Sequence, residues 1–143
     1  MNRTSRIAFT AFAIALLSIT AHAATIAFKA DLKASTEVPP NDGAGAGKLT
    51  ATLDTATMEF KYHIVYSGLS GPGVAAHFHG PAAAGANAGP QVPIKGSVAS
   101  PIDGTATLTA AQVKDLEAGQ WYFNVHTAAH PGGEIRGQIM KGK

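Results

Sequence analysis

The sequence contains no cysteine and few charged or aromatic residues. Of its 143 residues, 14% are Asp, Glu, Lys or Arg and 7% are aromatic. A chain without cysteine forms neither disulfides nor thiolate–metal centres, so its stability must come from a packed core. Any metal it binds must be held by nitrogen and oxygen ligands. The sequence also lacks the G-x-S-x-G, H-E-x-x-H and Walker motifs, which excludes the usual signatures of three enzyme classes.

Long apolar runs are also missing, except at the N-terminus. There, the basic residues Arg3 and Arg6 precede an apolar run over residues 7–19, and Ala21-His22-Ala23 follows the run. This order predicts a secretory signal peptide over residues 1–23, cleaved after Ala23, and a single mature domain over residues 24–143. The run is shorter than the roughly 20 residues that span a bilayer, and no later apolar segment is long enough either. We therefore expect no membrane span in the mature chain and a periplasmic or secreted location. An uncleaved N-terminal anchor is the alternative.

The mature chain has no excess of charge of either sign. The full sequence carries 11 Lys and Arg against 9 Asp and Glu, and both Arg3 and Arg6 belong to the predicted signal peptide. The remaining lysines are scattered singly rather than clustered with aromatic residues. Nucleic-acid binding requires a basic patch or stripe, so no nucleic-acid partner is expected.

Apolar residues recur mainly with a period of two, and turn residues interrupt them at short intervals. This pattern is typical of antiparallel sandwiches and barrels. It predicts an all-β, Greek-key β-sandwich or barrel of about eight strands. The predicted strands cover residues 25–34, 48–54, 57–67, 74–79, 92–99, 104–108, 120–126 and 134–140. One short helix is expected near residues 110–118, where Thr109 and Gln112 match a capping box and Gly119 supplies a stop signal.

The histidines are the best chemical lead. His77 and His79 lie two residues apart on a predicted strand, so their side chains share a face, with Cα atoms roughly 7 Å apart. His126 lies on the outer face of another predicted strand, and becomes a third ligand if the two strands are neighbours. His130, four residues later, is an optional fourth ligand or a group supporting the others. Imidazole nitrogens bind metals at about 2 Å, so the sequence predicts a three-histidine metal site.

Structural roles compete with this hypothesis. His77 and His79 stand just before Gly80-Pro81, where they could instead be hydrogen-bonding anchors for a loop. His63 alternates with charged residues and is expected to be a solvated bystander. Glu134 and Arg136 share a face of the last strand and are expected to form an exposed ion pair.

Several separated motifs together resemble the CHRD domain, which is named after chordin. The resemblance covers essentially residues 24–140 and implies an immunoglobulin-sized, all-β extracellular domain, found singly in exported bacterial proteins, with no firmly attached reaction. The motifs that carry it are Leu32 with Glu37-Val38-Pro39-Pro40, Gly68-Leu69-Ser70-Gly71, Ala75-Ala76-His77-Phe78-His79-Gly80-Pro81-Ala82, residues 104–116, and Val125-His126-Thr127 with Pro131-Gly132-Gly133-Glu134-Ile135-Arg136-Gly137-Gln138-Ile139.

A more distant similarity is to copper–zinc superoxide dismutases. Their copper site resembles the H-x-H pair at His77 and His79 and the late histidine at His126. The dismutase's bridging histidine falls on Gln91, and Arg136 is a weak candidate for its substrate-guiding arginine. The zinc-ligand loop and the disulfide are absent. The similarity therefore implies a likeness of fold and site rather than the activity.

These observations favour an exported copper-binding protein. Three neutral imidazoles suit copper, which outcompetes zinc for nitrogen ligands. The alternative is a metal-free module that binds a protein or polysaccharide partner through loops such as residues 36–47 and 81–91. A superoxide dismutase-like enzyme is a minor alternative, because Gln91 replaces the bridging histidine.

Overall fold

The fold is an antiparallel sheet that curls into a nearly closed barrel, as the period-two pattern predicted. In the computed structural model, which describes residues 24–142, eight strands follow the order β5-β4-β7-β8-β1-β2-β3-β6, and β9 pairs with β1. The strands are β1 (Thr25–Lys33), β2 (Ala46–Asp54), β3 (Glu59–Ser67), β4 (Gly73–His79), β5 (Pro90–Pro93), β6 (Ile102–Thr107), β7 (Tyr122–Thr127), β8 (Ile135–Gln138) and β9 (Met140–Lys141). The predicted signal peptide, residues 1–23, lies outside the described residues.

Alternating side chains of the strands fill the interior. In β1 the buried residues Phe28, Ala30 and Leu32 alternate with exposed ones, and β2 and β3 repeat the pattern. Phe60 and Phe78 pack edge to face, with ring centroids 5.3 Å apart. A core built at this period leaves the intervening residues of each strand on the outer face.

The single α-helix forms where its capping signals predicted it. The helix α1 spans Ala110–Glu117, and Leu116 is buried against the core. The Gln112 backbone N–H donates to Thr109 Oγ1, while the Thr109 N–H donates to Gln112 Oε1. A reciprocal capping box satisfies two otherwise unpaired donors, which explains the position of the helix start. A short 3-10 helix, Ala34–Thr36, follows β1.

Two predicted strands differ from those observed. The strand expected over residues 92–99 is only Pro90–Pro93, and the one expected over residues 134–140 divides into β8 and β9. The division falls at Ile139, whose N–H donates to the carbonyl of Trp121 rather than to β1. No helix within residues 24–142 has the length and apolar character needed to cross a membrane.

Candidate metal centre

The pairing of β4 with β7 brings the predicted histidines together. His77 lies opposite Asn124, His79 opposite Tyr122, and Ala75 opposite His126 in this antiparallel pair. His126 is therefore a diagonal neighbour of His77 on the same face. One ring nitrogen from each of His77, His79 and His126 lies within 4.8 Å of the other two. All three side chains are half-buried.

Hydrogen bonds decide which nitrogen each ring presents. His79 Nδ1 lies 2.9 Å from the carbonyl oxygen of Ala88, and His126 Nδ1 lies 2.9 Å from that of Pro131. A carbonyl only accepts, so both Nδ1 atoms carry the proton and both Nε2 atoms keep a lone pair. Metal-binding histidines are typically oriented in this way by a partner on the second ring nitrogen.

The third imidazole, His77, completes the set of donors. Its Nδ1 lies 3.2 Å from His126 Nε2, close to the separation of two nitrogens that share a metal at about 2 Å. Because His126 Nε2 has no proton, His77 Nδ1 must donate to it in the metal-free protein. Metal binding through His77 Nδ1 therefore requires the proton to move to Nε2 of the same ring.

The site favours neutral imidazoles, the form that binds metals. Burial lowers the pKa of both His77 and His79 below the usual value, and the nearby His126 lowers them further. The contacts of His79 with the Ala88 carbonyl and the Asn124 side chain act in the opposite direction without reversing the shift. The Nε2 of His79 is fully buried and has no hydrogen-bond partner. An unpaired buried nitrogen is costly unless something occupies the space in front of it. The residues present therefore fit a metal ion.

One histidine of the cluster, His79, belongs to a stack of three planar groups. The rings of His79 and Tyr122 are parallel, with an interplanar angle of 1° and centroids 4.8 Å apart. The Arg136 guanidinium carbon lies 3.4 Å from the centroid of the same Tyr122 ring. Because β7 runs between β4 and β8, His79 and Arg136 approach Tyr122 from opposite sides. This stack fixes the plane of the His79 ring.

The loop of residues 81–89 covers this stack. Arg136 donates from one terminal nitrogen to Asn87 Oδ1 at 2.8 Å and from the other to the Ala86 carbonyl at 2.5 Å. Tyr122 donates to the Ala88 carbonyl, which also accepts from His79. One loop segment is thus held by the same side chains that position the candidate ligand.

The expectation of an exposed Glu134–Arg136 ion pair is wrong. The two residues are 1% and 2% exposed. Glu134 accepts from the N–H and hydroxyl of Ser70 and from the hydroxyl of Thr127. Burial alone would raise the pKa of Glu134, but these hydrogen bonds more than offset it and lower the pKa. Loops cover this outer face, so each side chain has its own partners instead of the other.

The remaining sequence candidates lie outside the cluster. Within residues 24–142 the converging group has three members, and His130 is not one of them. His63 is exposed, and its Nδ1 lies 2.6 Å from Asp103 on β6. The Gln91 amide donates to the Gly80 carbonyl and accepts from Gln112, so both ends of this side chain are occupied away from the histidines.

Sequence reasoning missed Glu37 and Asn124. Both are buried, and Glu37 Oε1 and Asn124 Oδ1 have no hydrogen-bond partner. Burial raises the pKa of Glu37 to about 7, while Arg136, Val38 and Asn124 act in the opposite direction. The Glu37-Val38-Pro39-Pro40 motif was visible in the sequence, but nothing local connects it with a site formed by β4 and β7.

The fold and its histidine cluster define an antiparallel β-barrel domain with an imidazole-lined site beside a covering loop. The model of the CHRD domain family matches residues 28–139, and the chain belongs to this family. CHRD domains are typically extracellular modules. The chain matches no curated protein and no solved structure.

Proposed function

We propose that this protein is an exported copper-binding protein whose ligands are His77 Nδ1, His79 Nε2 and His126 Nε2. The observation that carries the proposal is the convergence of three imidazole nitrogens within 4.8 Å. Two of the three rings have their other nitrogen held by a backbone carbonyl. Three nitrogen ligands leave a coordination position open, and nitrogen sites favour copper over zinc.

Residues 1–23 complete the proposal. Their basic start, apolar run and Ala21-His22-Ala23 motif direct export, which gives the site access to copper outside the cytoplasm. The chain contains no cysteine, so no thiolate of its own competes with the histidines for copper. A dismutase activity is not proposed, because the Gln91 side chain is bonded to Gly80 and Gln112.

The proposal is tested by titrating the purified exported protein separately with Cu(II), Cu(I) and Zn(II). We expect submicromolar copper binding at one equivalent, with zinc weaker, following the affinity order for nitrogen ligands. The double variant His77→Ala/His79→Ala should bind copper on the order of 100-fold more weakly or worse, since altering even the partners of ligands costs about 10- to 100-fold.

The matched control is His63→Ala, which removes an exposed histidine on β3, outside the histidine cluster. Its copper affinity should equal that of the unaltered protein. Equal copper affinities for the double variant and the unaltered protein would overturn the proposal, and so would stoichiometric binding that depends on His63.

Ring-nitrogen NMR tests the ligand assignment independently. In the metal-free protein at pH 8 we expect protons on Nδ1 of all three rings, because each Nδ1 has an acceptor. Adding Cu(I), which is diamagnetic, should move only the His77 proton to Nε2 and leave His79 and His126 as Nδ1–H tautomers. An unchanged His77 tautomer with saturating Cu(I) would contradict the assigned ligand atom.

A further inference from the structure

The sheet does not close, and the free edges of its two terminal strands, β5 and β6, border the gap. Among the described residues, β5 pairs only with β4 and β6 only with β3. The Cα atoms of β5 and β6 mostly lie more than 8 Å apart, whereas paired strands lie about 5 Å apart. Between them is a groove of about 550 Å³. It lies where a further strand would extend the sheet from β6 towards β5.

The backbone of β6 is available along this groove. Residues Ile102–Thr107 form main-chain hydrogen bonds with β3 on one side, and no backbone group within residues 24–142 pairs with the other side. An edge strand directs alternate N–H and C=O groups outward, where another strand can pair with them. In contrast, β5 begins with Pro90 and ends with Pro93, and proline has no N–H to donate. The free edge of β6 is thus the stronger template.

The floor of the groove offers a free hydroxyl. Tyr62 lines the groove, and its Oη has no hydrogen-bond partner among the described residues. A Cβ at Gly104 would come within 2.3 Å of this oxygen, so only glycine leaves room for it there. Gln112 of α1 also lines the groove, and so do two charged residues, Lys95 and Asp103. The Asp103 carboxylate pairs with His63, whereas Lys95 has no ion-pair partner within residues 24–142.

We propose that this groove binds an extended peptide segment of a partner protein, which inserts between β5 and β6 and pairs with β6. The groove has a strand on each side, so a segment that enters it must have no neighbouring strand of its own on either edge. A strand of a second folded copy already has a neighbour on at least one edge, so the occupant is an unstructured segment. Four to six residues, about 13–20 Å when extended, match the strands on either side. Lys95 favours a segment with an acidic residue at its end of the groove.

The test starts from a phage-displayed library of random heptapeptides, panned on the purified protein. We expect enriched peptides that contain an acidic residue, and the best of them, acetylated and amidated, should protect alternate amides of β6 from hydrogen exchange. The same peptide N-methylated at alternate residues should lose binding, because it cannot donate to β6. Copper loading should leave the peptide affinity unchanged, which separates this site from the histidines.

Two variants and a control locate the site. Ala106 lines the groove and packs partly against the core. Ala106→Leu adds bulk at this position and should weaken peptide binding at least about tenfold, with urea denaturation checking that the variant stays folded. Tyr62→Phe keeps the shape and should weaken it about fivefold by removing one hydrogen bond. Thr52→Leu, on the exposed outer face of β2, should change nothing. Overturning results are no enrichment over a library panned on Ala106→Leu, equal binding of the N-methylated peptide, or protection of β6 by dextran or chitin oligomers instead of peptides.

Discussion

Replacing Arg136 with methionine should lower the free energy of unfolding of the metal-free protein by about 3 kcal/mol or more. Arg136 is 2% exposed, and it donates two hydrogen bonds to the loop, at Ala86 and Asn87. Hydrogen bonds from a charged group contribute about 1.5–3 kcal/mol each, and its stacking on Tyr122 adds to them. Methionine fills similar volume but restores neither the hydrogen bonds nor the charge.

The same substitution should also weaken copper binding about 10- to 100-fold, because the stack on Tyr122 fixes the His79 ring. Equilibrium denaturation in urea measures the first effect, and copper titration measures the second. Arg136→Lys keeps the charge without the planar fork, so both effects should be intermediate.

The control for charge removal is Lys61→Met, which deletes an exposed ion pair with Glu59. Exposed pairs contribute at most about 1 kcal/mol, so stability should barely change and copper affinity should stay constant. An Arg136→Met variant within 0.5 kcal/mol of the Lys61→Met variant would show that the guanidinium does not hold the loop.

The histidine cluster was predictable because strand periodicity is a local property. The two-residue spacing of His77 and His79 places both on one face in any strand. The apolar residues Trp121, Phe123 and Val125, all fully buried, likewise fix the face on which His126 lies. Only the pairing of β4 with β7 had to be assumed, and the register that joins Ala75 to His126 confirms that assumption.

What surrounds the cluster was not predictable by the same reasoning. Tyr122 and Asn124 alternate with core residues, so the same periodicity predicts an outer face for both. They do lie on that face, yet both are only 3% exposed. The cover comes from loops far away in the chain, as when Asn87 donates to the Val38 carbonyl. Loop positions leave no periodic signal, so polar residues beneath them look like exposed ones in the sequence. The Glu134–Arg136 prediction failed for this reason.

Glu37 should make the metal-free protein less stable as the pH rises, over a window from about 4.5 to about 7. Its side chain is buried, at 4% exposure, and Oε1 has no hydrogen-bond partner. Burial therefore raises the pKa of Glu37 from 4.5 to about 7. A folded protein that holds a proton more tightly than the unfolded chain loses stability when that proton leaves. A shift of this size corresponds to about 3 kcal/mol, fully present below pH 4.5 and lost above pH 7.

Other groups titrate in the same range, so the Glu37 contribution must be isolated. The pKa values of His77 and His79 are lowered by burial. Their contribution has the opposite sign, since the unfolded chain binds the proton more tightly and stability rises with pH up to about 6.5. The difference between the unaltered protein and Glu37→Gln removes these shared terms, because glutamine has nearly the same shape but does not ionise.

Urea denaturation of both proteins at pH 4.5, 6, 7 and 8, with a chelator present, measures this difference. Relative to the unaltered protein, Glu37→Gln should gain about 3 kcal/mol between pH 4.5 and pH 8. The change in relative stability should be spread over the range from about 4.5 to about 7, because it begins at the pKa of Glu37 in the unfolded chain and ends at its pKa in the folded protein. A difference that stays constant across this range would mean that Glu37 ionises in the folded protein as readily as in the unfolded chain.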